Sequence, residues 1–260
     1  MAGVKTEWDY TDHAAHYDKR ADYDAGVVAD VLARTGCAPG NPVAEIGAGT
    51  GKLTKILLNC GLIVKAVEPN DAMRSFGRAN TEGKSVTWLS GTGENTGLPA
   101  SAFHAVFFGS SFNVVKSEPA LREVSRILVP NGYLVCMWNH RNLDDEIQSG
   151  IERIIKNHIP SYGYGSRREN PTAIIGQSGL FSDVHSASAS FVVQMTRQDV
   201  LEAWKSHATL KRQTHSPSQF DQIISHIGAY LESHNDTFAV PYTTNIYFTR
   251  LIVDKGDTKS

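Results

Sequence analysis

The amino-acid sequence predicts an α/β fold with a mostly parallel sheet between helices. Three observations carry this expectation. Short β-branched apolar runs alternate with helical repeats through the first half of the chain. A turn signal, Asn131-Gly132, separates a helix from the next strand. A glycine-rich turn, Gly47-Ala48-Gly49-Thr50-Gly51, closes the first strand and opens the first crossover helix. A βαβαβ order of this kind implies right-handed crossovers onto parallel strands.

The elements follow in order. Tyr10, Ala14, Tyr17 and Ala21 recur at helical steps on one face, and Val27, Val28, Val31 and Leu32 form the stripe of a second helix that Gly36 ends. Strands are expected over 41–46, 62–67, 86–89, 105–109 and 133–138, with helices over 52–60, 71–79 and 118–128 between them. After the fifth strand the alternation changes. Leu143, Ile147, Ile151, Ile154, Ile155 and His158 define an amphipathic helix, followed by a glycine- and tyrosine-rich loop over 161–166. A strand over 184–195 leads to Thr196, which can cap a helix reaching Trp204. Ser216, Pro217 and Gln219 read as N-cap, first-turn proline and capping-box partner for a helix whose face is Phe220, Ile223, Ile224, Ile227 and Leu231. The last strand is expected over 245–253. The chain reads as one domain, with cap helices over 1–36, a binding core over 41–140, substrate-side elements over 141–235 and the closing strand in 237–253.

Composition narrows the function. A net charge of −2 carries no basic footprint for nucleic acid. The pairs Arg167-Arg168 and Lys211-Arg212 are expected on solvated loop or helix faces. Cys37, Cys60 and Cys136 fit neither a disulfide framework nor a zinc site, and no histidine pair has metal-ligand spacing, so no metal is expected. Residues 1–10 lack the apolar core of a signal peptide, and no apolar run nears the roughly 20 residues that cross a bilayer. A cytoplasmic protein with a small-molecule partner, and neither membrane nor nucleic acid, is the expectation. Oligomeric state is not legible.

The turn carries the chemistry. Glycines let the chain bend tightly and let a ligand approach the backbone. A dinucleotide fingerprint is G-x-G-x-x-G, whereas the third glycine here comes one residue early. Glu45 stands two residues before the first glycine. Glu68 ends the second strand, 68 − 47 = 21 residues on, where a carboxylate can accept both vicinal ribose hydroxyls.

The run Glu45-Ile46-Gly47-Ala48-Gly49-Thr50-Gly51 resembles motif I of the class I S-adenosylmethionine-dependent methyltransferases. The stretch Gly91-Thr92-Gly93-Glu94-Asn95-Thr96-Gly97-Leu98-Pro99 is similar to the family's G-x-A-E-x-L-P. The run Glu123 to Leu134, holding Arg126, Pro130 and Gly132, is similar to its E-x-x-R-V-L-K-P-G-G-x-L. The resemblance is to the small-molecule type 11 branch and covers roughly residues 10–140. It implies a Rossmann-like three-layer αβα sandwich, with a mostly parallel seven-stranded sheet, an antiparallel last strand and helical cap insertions, and it implies S-adenosylmethionine as cofactor and S-adenosylhomocysteine as product. It also implies cofactor contacts from Glu45, Gly47, Ala48, Gly49, Thr50 and Gly51, then Glu68, Pro69 and Met73, then Thr92, Gly93 and Glu94, and from Ser110 and Phe112. Tyr17 and Arg20 match a Y-D-x-R-x-x-Y stretch whose tyrosine and arginine reach the cofactor's carboxylate end. His104 replaces the usual aspartate before the fourth strand, and a structural role is expected for it.

Methyl transfer needs alignment and sometimes a base. His140 is the best-placed base because histidine titrates near neutrality, and Asn113 can orient an acceptor. His13, His16, His207 and Tyr164 follow as weaker candidates. A cofactor-binding regulator without activity stays open as an alternative, and an NAD-dependent oxidoreductase as a lesser one.

Overall fold

The computed structural model describes residues 21–164 and 168–252. Seven strands form one sheet: β1 (Pro42–Ile46), β2 (Ile63–Val67), β3 (Val86–Leu89), β4 (Phe103–Gly109), β5 (Leu128–Arg141), β6 (His185–Thr196) and β7 (Thr237–Arg250). The crossover helices are α1 (Ala25–Arg34), α2 (Lys52–Asn59), α3 (Asp71–Asn80) and α4 (Ser117–Ile127). The later helices are α5 (Glu146–His158), α6 (Thr172–Gln177), α7 (Arg197–Lys205), α8 (Ala208–Gln213) and α9 (Pro217–Glu232). The spatial order is β3-β2-β1-β4-β5-β7-β6. β1 to β5 pair in parallel, and β7 runs antiparallel to both β5 and β6.

Strand order reverses between β1 and β4, and the crevice at such a switch point is where open α/β sheets bind ligands. The two-residue period of β4 shows how the layers form. Ala105 and Phe107 face a core with Val28, Val31, Leu53 and Leu57, whereas Val106 and Phe108 face one with Leu121, Val124 and Ile127. A third cluster joins α5, α7 and α9 to the ends of β6 and β7 through Ile151, Trp204, Ile223, Ile227, Phe238 and Tyr242. It builds a cap over the carboxyl side of the sheet.

Several elements differ from expectation in extent. β5 begins at Leu128, and Asn131 takes a left-handed φ of 63°. Phe103 pairs with Leu128 but Ala105 with Tyr133, so the Asn131-Gly132 turn is a bulge inside the strand. β7 starts eight residues before the expected Asn245 and ends at Arg250. Its first half is polar on one side, and Pro241 interrupts the apolar run; that proline lies one residue past the last β5–β7 pair, Arg141 with Tyr242, where its carbonyl accepts from the Asn142 amide at 3.0 Å and it has no N–H to return the bond. Leu143 precedes α5, which opens on an Asp145 N-cap accepting from the Gln148 amide at 3.0 Å. The short helices α6 and α8 had no sequence signal, because six residues hold too little periodicity. The helix expected over residues 10–21 lies outside the described residues apart from Ala21.

The caps of the later helices match their residues. Thr196 accepts from the Asp199 amide at 3.1 Å, and Ser216 from the Gln219 amide at 3.2 Å. Among the described residues, no helix is long and apolar enough to cross a membrane, and no group of three or more His, Cys, Asp or Glu could hold a metal.

Candidate active site

The turn after β1 is built from backbone constraints. Gly47 has φ of 68°, and a Cβ there would lie 2.6 Å from the Ser111 Cβ. Ser111 in turn donates its hydroxyl to the Ile46 carbonyl at 2.5 Å, so the loops after β1 and β4 close on each other. The turn's amides are largely committed. Gly47 and Ala48 donate to the Val67 carbonyl at 2.8 and 3.1 Å, Gly49 to Glu68 Oε2 at 2.9 Å, and Gly51 to the Ala48 carbonyl at 3.0 Å. A pyrophosphate site needs such amides aimed at the ligand. This turn offers a ligand its surface rather than a nest of donors, which fits an adenosyl sulfonium better than a dinucleotide.

Two carboxylates flank the turn. Glu68, buried at the tip of β2, accepts from Gly49 on Oε2 and from the Asn70 amide on Oε1 at 2.8 Å. A carboxylate has about four acceptor positions, so two remain for hydroxyls. Burial raises its pKa, against the amides of Asn70 and Gly49 and the charge of Arg74. Glu45, 1% exposed, takes the Thr54 hydroxyl at 2.5 Å. Burial pushes its carboxyl up to about 8, with Thr54 opposing and Glu68 adding repulsion.

The cleft above the turn opens to solvent, with about 820 Å³ of space between it and its mouth, open solvent included. Its floor includes Glu45, Gly47, Ala48, Gly49, Gly109 and Ser110, and its cap side Ala203, His207 and Tyr242. The entering chain is strapped across one end. The hydroxyls of Tyr23 and Ser110 lie 2.8 Å apart, and Asn139 Nδ2 donates to the carbonyls of Ala21 and Asp22 at 3.2 and 2.8 Å. Thr244 donates to Asn139 Oδ1 at 2.5 Å and accepts from the Asp24 amide at 2.9 Å. Sequence reasoning missed Asn139 and Thr244, since a polar residue inside a strand carries no signal of what it will meet.

The other anticipated residues fall at different distances from this floor. Thr50 is buried at the start of α2 and its carbonyl accepts from Asn80, while Gly51 is the left-handed N-cap of that helix. Met73 is buried beside Gly49, and the Pro69 carbonyl accepts from Arg74. Thr92 and Asn95 exchange backbone hydrogen bonds around Gly93 and Glu94, and Glu94 accepts from the Lys116 amide at 2.7 Å. Phe112 is buried edge-on against Phe108, with ring centroids 5.3 Å apart. Asn113 accepts from the Trp138 indole at 3.0 Å, which commits its oxygen. His104 is exposed on β4. Tyr17, Arg20, His13 and His16 lie outside the described residues.

His140 Nδ1 lies 3.3 Å from Asn245 Nδ2, and the ring lines a second recess with Arg141, Tyr164, Arg168 and His207. Here one expectation fails. Arg168 is not on a solvated face; it is half-buried with its guanidinium 4.4 Å over the Tyr164 ring. The charge pattern of the loop cannot reveal an aromatic partner folded back onto it.

Residues 44–136 match the family model described as a methyltransferase domain. An uncharacterized methyltransferase of Mycobacterium tuberculosis is 38% identical over 100 residues, 38% of this chain and 40% of that protein. The match thus spans less than half of that relative's length. An uncharacterized methyltransferase of Geobacillus kaustophilus is 28% identical over 199 residues, 75% of this chain and 86% of the relative. A solved structure of a candidate type II methyltransferase from Anaeromyxobacter dehalogenans shares the fold with a TM-score of 0.64 at 15% identity, over 89% of this chain and 97% of that one. The sheet order and the turn agree with the domain match, which places a methyltransferase domain over residues 44–136 on a class I αβα fold.

Proposed function

We propose that the protein transfers a methyl group from S-adenosylmethionine to a small-molecule acceptor. The observation that carries this is the Glu68 carboxylate, which braces the glycine turn through Gly49 while keeping acceptor positions for a ribose. Glu45 would face the methionine end, where its buried carboxyl suits a cationic ammonium. When bound, the cofactor would supply a methyl carbon already activated by a sulfonium, with the sulfur as leaving group for an acceptor's lone pair. The chain's part is to align the partners and keep water out, and alignment alone can be worth about 7 kcal/mol or more. Capping residues Ala203, His207 and Tyr242 share a cleft with the turn, which favours a small acceptor over a polymer.

The test is a ligand titration followed by thermal unfolding. S-adenosylmethionine and S-adenosylhomocysteine should each raise the midpoint, since both bind the folded state. NAD should not. A shift with NAD alone would sink the reading.

On the acceptor side, His140 is the base we assign for an acceptor that must lose a proton, and Asn113 beside Trp138 is a positioning group. His140→Ala should lower kcat about a hundredfold for a hydroxyl acceptor and leave S-adenosylhomocysteine affinity within twofold. Unchanged turnover across a pH profile removes His140 from that role.

A further inference from the structure

A second recess, about 350 Å³ to its mouth, adjoins the cleft and shares Asn139, Arg141 and His207 with it. It gathers two guanidinium groups. Arg141, at the end of β5, lies 3.9 Å over the ring of buried Trp204. Arg168 lies over Tyr164 and donates from Nη2 to the Arg141 carbonyl at 2.9 Å.

Side-by-side cations in a half-buried recess repel one another unless an anion joins them. Among the described residues, neither arginine forms an ion pair. Glu152 lies behind Tyr164, its Oε2 3.5 Å from the phenol oxygen, but it is held by Lys156 at 2.8 Å. Burial lowers the Arg168 pKa, and the charge of Arg141 adds to that; Tyr164 and Glu152 oppose it. The aromatic faces of Trp204 and Tyr164 hold both guanidinium planes in place, so little side-chain freedom would be lost on binding. An anchored guanidinium fork is matched to the paired oxygens of a carboxylate or phosphate.

We propose that this recess anchors the methyl acceptor, and that the acceptor carries an oxyanion, a carboxylate or a phosphate ester, gripped between Arg141 and Arg168. The proposal rests on the methyltransferase reading and names the substrate class of that same site. Holding the anionic end here directs the remainder of the acceptor toward the cleft over Gly47 and Gly49. Acceptors with a cationic end would be rejected by the same two charges.

The experiment titrates protein saturated with S-adenosylhomocysteine against three probes: succinate, phenyl phosphate and the uncharged benzamide. Calorimetry reads binding to the native protein, to Arg168→Met and to Arg168→Lys. At least one anion should bind the native protein in preference to benzamide, and whether succinate or phenyl phosphate wins identifies the head group. Arg168→Met should weaken the preferred anion about tenfold or more, the expected loss of a charge-assisted contact, with S-adenosylhomocysteine affinity within twofold. Should the methionine variant fail to fold, the lysine variant carries the test. It keeps the charge but loses the fork, and a several-fold loss is expected. The proposal is overturned if neither anion binds, if benzamide binds as well, or if binding is undiminished in the variant that folds. Failure of S-adenosylhomocysteine to bind the native protein counts against the methyltransferase reading instead, and the anion titration repeated on the free protein still reports on the recess.

Discussion

Glu68→Ala is expected to weaken S-adenosylhomocysteine binding about a hundredfold or more, because charge-assisted hydrogen bonds contribute about 1.5–3 kcal/mol each and a ribose would lose two. The side chain has a second task. Its two oxygens hold the amides of Gly49 and Asn70, one in the turn and one at the N-cap of α3. Alanine leaves both donors without their acceptor, so unfolding stability should also fall by about 1–3 kcal/mol. Glu68→Gln separates the two effects. It keeps one acceptor oxygen, so affinity should fall only about tenfold and the melting temperature should stay nearer the native value. Native-like affinity in a folded Glu68→Ala protein would show that the ribose is held elsewhere.

The second large effect is a pH dependence centred on Glu45. Its carboxyl is pushed up to about 8 from an ordinary 4.5, chiefly by burial. The folded chain therefore keeps a proton that the unfolded chain has lost, so this contribution to stability is full below pH 4.5 and declines as pH rises through 8. A cationic cofactor reverses the preference, since an ammonium nearby favours the carboxylate. Binding near neutrality should then release a proton, and affinity should climb as pH rises from 6 to 7.5, by close to tenfold per unit at the limit. That window stays below the titration of the ligand's own amino group. Calorimetry in two buffers of different ionisation enthalpy would count the proton, and Glu45→Gln should flatten the profile. A Kd constant within twofold across the window, with no proton released, would place Glu45 away from the bound charge.

Much of the architecture was legible because it repeats along the chain. Strand and helix periods from Val43 to Trp138 record which side chains face the two cores, and such periods survive without knowledge of partners. The glycine turn was legible for a related reason. Gly47 at φ 68° has no room for a Cβ, so the steric demand is written into residue type. Boundaries were less so. β5 extends through a bulge at Asn131, and β7 through Pro241, because pairing with neighbours decides where a strand stops.

The site divides in the same way. By itself the sequence determined the αβα class, the glycine turn after the first strand, and the two carboxylates at the ends of the first two strands, because these depend on order and spacing along one stretch of chain. Only the tertiary structure decided that Asn139 and Thr244 strap the entering segment and that Asn113 is committed to Trp138. It alone turned Arg168 inward over Tyr164, beside Arg141. Apart from the stacking of Arg168 on Tyr164, these contacts join residues from 25 to 117 positions apart, and a side chain's partner at that range is set by how the layers pack, which no local pattern encodes.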